Sequence, residues 1–200
     1  MAVQSTDLLM IERAGVLHKA AVSELPSGGG GADPGLVLVG PPQVVTAPVA
    51  AVDFDLPAEY SRFRLVVNGL TNSDGVAQTR LTLSTDGGAT FISSGNHKVF
   101  TLQYAYGSTA PNITSSSAVP FMLLLQNPGG ATNLKQSGVF DLLSLSDVFS
   151  AQGFLDMDVY GSFISNRREM AARVNTIRIS QSTNQIATGT FSLYAYKESA

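Results

Sequence analysis

The chain has no cysteine among its 200 residues. That absence removes disulfide frameworks, thiolate metal sites and cysteine nucleophiles together, so stability must come from packing. Histidine is nearly as scarce, with only His18 and His97, which lie in separate segments. No Gly-x-Ser-x-Gly elbow accompanies either one, which leaves a serine-hydrolase triad without its parts. Charge is also sparse. Asp, Glu, Lys and Arg make up 14% of the chain and the formal net charge is −3. Ser, Thr, Gly, Asn and Gln supply the polar surface instead, and the balance offers no long-range attraction for nucleic acid or an anionic membrane. Long apolar runs are missing as well. The N-terminal stretch has only four consecutive apolar residues, Leu8 to Ile11, flanked by Asp7 and Glu12. This is neither a signal-peptide core nor a bilayer span, so the reading is a product made in the cytoplasm without membrane insertion. The Asn-Ile-Thr sequon at Asn112 is accordingly read as loop sequence.

Helix signals are almost absent too. Only Arg167 to Arg173 has helix-forming composition, enough for a turn or two. What the chain does have is alternation. Phe63, Leu65 and Val67 alternate with Arg62, Arg64 and Val66; Leu81 and Leu83 point inward from 77–84; and 187–196 alternates almost to the chain end, with Phe191 and Leu193 on one face and Ser192 and Tyr194 on the other. Further strand candidates are 36–39, 44–54 with a break at Pro48, 99–106, 119–126, 137–145, 153–163 and 175–180, separated by Gly, Pro, Asn and Asp clusters. A hydrophobic content of 44% is ample for a core. Short strands at this spacing predict an all-β fold, a jelly-roll-like antiparallel β-sandwich over 36–200.

Ahead of it, residues 1–25 read as a small β-hairpin, with Leu8, Leu9, Met10, Ile11 on one strand and Val16, Leu17 on the other. A hairpin this small is marginal alone and needs a surface to rest on. Residues 26–35, Pro26 to Gly35 with four successive glycines at Gly28 to Gly31, read as a flexible linker. The glycines lack the Gly-Lys-Ser/Thr continuation of a phosphate loop.

Four constellations bear on chemistry. Ser84-Thr85-Asp86-Gly87-Gly88-Ala89-Thr90-Phe91 fits the Asp-box pattern of sialidase-like propellers, but it occurs once where a propeller repeats it, so it reads as a hairpin turn. Asp53 with Asp55, and Asp156 with Asp158, each place two carboxylates on one strand face roughly 6.5–7 Å apart, a spacing open to a glycosidase pair or a calcium site and equally to a solvated strand face. Tyr104 and Tyr106, with Asn96, His97 and Asn112 on neighbouring loops, make a candidate aromatic and amide surface for glycan contact. No residue emerges as catalytic or metal-binding, and no cofactor is implied.

Two segments resemble bacteriophage particle proteins. Asp7 to Ala20 is similar to a short N-terminal module of phage tail and appendage proteins. Tyr60 to Val67, the Arg80 to Gly88 turn and the final Gly189 to Tyr194 resemble β-sandwich domains of phage and prophage structural genes, which often end in Gly-Thr-x-x-Leu-Tyr-Gly; here Ala195 replaces the last Gly. The resemblance implies a non-enzymatic virion component, a tail-associated or head fibre or decoration protein. Leu8, Leu9, Met10, Ile11, Val16 and Leu17 would anchor it to capsid or tail proteins, its copies would form a homo-oligomer such as a trimer, and distal loops would face the host, where they could contact surface glycans, or solvent. A carbohydrate-active enzyme or a free carbohydrate-binding module on the same sandwich is the alternative.

Overall fold

A computed structural model describes residues 8–13, 16–21, 35–73, 78–95, 97–105, 112–125, 135–157 and 160–197. The chain divides into two compact units, Leu36–Tyr196 and a smaller one made of residues 1–35 and 197–200. In the smaller unit, β1 (Leu8–Arg13) and β2 (Val16–Ala21) pair antiparallel, from Leu8↔Ala21 to Arg13↔Val16. The expected anchor residues therefore lie on two paired strands. Residues 26–34 of the expected linker are outside the described residues.

Among the described residues, the larger unit holds thirteen strands: β3 (Leu36–Leu38), β4 (Gln43–Val45), β5 (Ala51–Asp55), β6 (Arg62–Asn72), β7 (Thr79–Ser84), β8 (His97–Ala105), β9 (Asn112–Val119), β10 (Met122–Leu125), β11 (Gln136–Ser144), β12 (Val148–Met157), β13 (Tyr160–Glu169), β14 (Thr176–Gln181) and β15 (Ile186–Tyr196). All pairings are antiparallel. One sheet has the order β10-β7-β14-β5; the other runs β3-β15-β6-β11-β12-β13-β8-β9, with β4 also paired to β15. The fold is all-β, in the manner of a β-sandwich, and no described residue is helical.

Alternation builds the core. Phe63, Leu65, Phe140, Leu142, Phe149, Leu155, Ile164, Phe191 and Leu193 from the large sheet share one buried cluster with Val52, Phe54, Leu81, Leu83, Met122, Ile177 and Ile179 from the small sheet. Each is at most 5% exposed, and burying side chains of this size stabilises by about 1.5–3 kcal/mol apiece before conformational entropy is subtracted. One polar link crosses the core. Thr79 on β7 donates to Gln136 on β11 at 3.3 Å and accepts from Gln181 Nε2 on β14 at 3.1 Å, so a hydroxyl and two amides tie the sheets at one end of the buried cluster.

Along β6 the inward phase changes, from Phe63, Leu65 and Val67 to Leu70 and Asn72. Gly69 sits at the change with φ of +63°, and the register shifts there against both β11 and β15. This is a β-bulge, and only glycine takes that φ without cost.

Two strand readings need correction. The 153–163 segment is not one strand: it is the end of β12 and the start of β13, paired from Met157↔Tyr160 onward. Leu155, Met157 and Val159 alternate in sequence with Asp156 and Asp158 through this stretch, with no Gly or Pro between them to signal the reversal. Arg167, Arg168 and Glu169 are strand, not helix, because β13 continues its ladder against Lys98 of β8 and Phe149 and Val148 of β12. Tertiary pairing overrides the local preference.

Candidate functional site

The Asp-box-like segment is a closed turn at the end of β7. Ser84 Oγ donates to Asp86 Oδ1 at 2.6 Å and accepts from the Gly88 amide at 2.9 Å; Asp86 Oδ1 accepts from the Thr90 amide at 2.9 Å, and Thr90 Oγ1 donates to Oδ2. These donors hold the Asp86 carboxyl down at about 2, with the Ser84 hydroxyl the largest cause and Thr90 next. Asn175 fastens the turn to the start of β14. Its Oδ1 accepts from the Gly87 amide at 3.0 Å and its Nδ2 donates to the Thr85 carbonyl at 3.0 Å. The carboxylate oxygens are thus committed to the turn itself, which is the structural role the sequence suggested.

The carboxylate pairs meet different fates. Asp53 is gripped by Arg178 of β14, Nε to Oδ1 at 2.8 Å and Nη2 to Oδ2 at 2.7 Å, while the guanidinium lies 3.9 Å from the Phe91 ring centroid. Asp55 accepts from Thr176 Oγ1 at 3.1 Å. Both are cross-strand ties on β5 and β14, opposite one another in the ladder. Asp156 is exposed on β12; Asp158 lies outside the described residues. A third carboxylate, Asp141 on β11, is held between Arg64 Nε at 2.9 Å and the Tyr196 hydroxyl at 2.8 Å, which draws its pKa down, chiefly through Arg64. Among the described residues, no three His, Asp or Glu side chains converge.

The expected glycan surface falls only partly within the described residues. Asn112 is not on a loop: it opens the edge strand β9, exposed, opposite Gln103. Tyr104 lies next to Gln103 on β8 and pairs with Gly161; Asn96 and Tyr106 are outside the described residues. His97 is not on a loop either. It opens β8 fully buried, with Nε2 2.8 Å from Arg168 Nη1, which also donates to the Ser94 carbonyl at 2.8 Å. Arg168 can only donate, so Nε2 must accept and the proton sits on Nδ1, which has no partner among the described residues. Burial, aided by the Arg168 charge, lowers the His97 pKa to about 4. This is a neutral structural histidine.

Another surface feature belongs to none of these groups. On the outer face of the large sheet, Val66, Val139, Phe154, Phe163, Leu102 and Ile113 stand directly opposite one another in succession, one residue from each of β6, β11, β12, β13, β8 and β9. Phe154 is 52% exposed, Ile113 60%, Val139 42% and Phe163 41%. A six-strand apolar row open to solvent results. The sequence carried a trace of it in the pairs Val139-Phe140, Phe154-Leu155 and Phe163-Ile164. Two large apolar residues in succession on a strand must face opposite ways, but register alone aligns the outward ones.

No protein-family model matches the chain, and no curated protein matches it.

Proposed function

We propose that the chain is a non-enzymatic structural component of a phage particle, in which the Leu36–Tyr196 unit is displayed and strands β1 and β2 dock onto other particle proteins. The observation that supports the non-enzymatic part is how the acidic side chains are used. Asp53, Asp55, Asp86 and Asp141 each place at least one oxygen in a cross-strand or turn contact, whereas a glycosidase pair needs both carboxyls aimed at a shared substrate position. The particle setting rests on the resemblance carried by Asp7 to Ala20 and Gly189 to Tyr194.

Mass spectrometry of purified particles tests the setting, and the chain is expected at stoichiometric copy number. A chain lacking residues 1–25 is expected to keep the β-sheet circular-dichroism spectrum and to be missing from particles. Full incorporation of that truncation would remove the docking role. Depolymerising activity on a polysaccharide panel, abolished by Asp156→Ala or Asp53→Ala, would replace the structural reading with an enzymatic one.

A further inference from the structure

Lys98 of β8 and Arg167 of β13 stand directly opposite one another in the ladder of the large sheet, and both are exposed. Like charges in that relation repel. Among the described residues nothing offsets them: the ion pairs are Arg64–Asp141 and Arg178–Asp53, and Glu169, two residues along β13 from Arg167, pairs with neither cation. The two cations border a hollow of about 390 Å³, lined also by Val99, Phe100, Ser115, Ser116 and Ser165. Small-ligand sites run from roughly 300 to 1,000 Å³.

The edge ladder is irregular beside this hollow. His97 pairs with Val119 and Val99 with Ser116, so two steps along β8 match three along β9, and Lys98 has no partner of its own on β9. Bulges of this kind recur beside functional sites, where they re-aim a side chain. One row along the strands, Phe100 stands between Ser165 of β13 and Ser115 of β9 with its side chain 40% exposed. Two cations, flanking hydroxyls and an open ring therefore share one depression. Charge decides what fits. Elsewhere in this unit one guanidinium takes one carboxylate, as Arg64 does with Asp141 and Arg178 with Asp53; two adjacent cations without a carboxylate match a dianion. A tetrahedral dianion also offers more acceptor oxygens than a carboxylate, and the serine hydroxyls can donate to those. A nucleic-acid backbone would need cations in succession. The next one in this row, Arg62, is three strands from Arg167 beyond Ser150 and Leu143, roughly 14 Å away, and its guanidinium lies 5.1 Å from the Tyr196 ring centroid.

We propose that this hollow binds a phosphate dianion, as the free ion or as the phosphate group of a monoester whose organic part rests on Phe100. Lys98 and Arg167 supply the opposing charge, and Ser115, Ser116 and Ser165 supply hydroxyl donors. The site is complete within the Leu36–Tyr196 unit, so it stands or falls separately from the particle assignment.

Amide chemical-shift titration of the full chain tests it, at about pH 8, where phosphate is doubly charged, and at constant ionic strength. Inorganic phosphate and sulfate are expected to give saturable shifts at Lys98, Phe100 and Arg167, with acetate at least about 10-fold weaker. Lys98→Gln and Arg167→Gln, on different strands, should each lower phosphate affinity by about 10-fold or more with an unchanged β-sheet spectrum. Arg62→Gln, in the same row and outside the hollow, should change it by less than about twofold. Phenyl phosphate binding about tenfold tighter than inorganic phosphate identifies a monoester seated on Phe100 as the source of the group, and equal affinity identifies the free ion. Shifts in the wild-type protein that stay linear to about 50 mM phosphate overturn the proposal. So does acetate binding as tightly as phosphate, or an Arg62→Gln loss equal to that of Arg167→Gln.

Discussion

Arg178 and Asp53 face each other on β14 and β5 with both guanidinium–carboxylate contacts made, at 2.8 and 2.7 Å. That geometry turns a residue of a candidate acid pair into a strand tie. Both side chains are about 40% exposed, so solvent screens most of the attraction. Asp53→Ala is expected to cost less than about 1 kcal/mol in urea unfolding, and Arg178→Ala somewhat more, because the guanidinium also covers Phe91. Near-equal losses from the two substitutions would mean that the ring contact contributes nothing.

Gly153 should be intolerant of any side chain. A Cβ built there falls 2.1 Å from the Val139 carbonyl oxygen and 2.7 Å from both Cα and Cδ1 of Phe140, its partner across the ladder. Two of the three obstacles are backbone, so β11 and β12 would have to part. Gly153→Ala is expected to cost about 3 kcal/mol or more, read as a fall in the urea midpoint at constant slope. A loss under about 1 kcal/mol would mean that the strands separate readily at this point.

Stability should fall as the solution is acidified below neutrality, through His97. Its folded pKa of about 4 lies below the unfolded value near 6.5, so the unfolded chain binds the extra proton across that interval. The contribution is complete above about 6.5 and is lost on descending toward 4, with a slope of at most about 1.4 kcal/mol per pH unit. His97→Gln should flatten urea midpoints between pH 7 and pH 5 relative to wild type. The remaining groups, His18 included, are common to both proteins and cancel in the difference. Parallel curves would show that His97 is accessible to protons.

Asp86 acts at lower pH. Its carboxyl is held at about 2, below the ordinary 3.8, so the turn keeps its full contribution above about pH 4 and loses it as pH falls toward 2. A carboxyl chemical-shift titration is expected to show a midpoint near 2, with the Thr90 amide moving in step. Asp86→Asn should abolish the amide's titration. A midpoint near 4 would mean that the hydroxyl contacts are not maintained.

Much of the sandwich was legible in the chain because period-two alternation reports which face is buried. Phe63, Leu65, Leu81, Leu83, Phe191 and Leu193 all stand inside as that pattern requires. The misreadings share one cause: information carried by partner strands. The β12–β13 reversal sits within a continuous apolar–acidic alternation, the Arg167–Glu169 stretch takes its conformation from β8 and β12, and Asn112 becomes edge strand only because β8 lies beside it. Likewise the two-residue periodicity of each strand placed Phe154 and Phe163 on a face, while only the ladder set them side by side.

The position of β15 also sets how the large sheet is completed. β15 lies between β6 and the short β3 and β4, pairing Leu193 with Leu65 across more than half the chain. Without it, β6 presents an open edge and its buried row, including Phe63 and Leu65, lacks a neighbour on that side. Completion of the large sheet is consequently dominated by distant contacts, which makes folding slow. A partly folded chain whose β15 has not docked carries an unpaired, aggregation-prone edge.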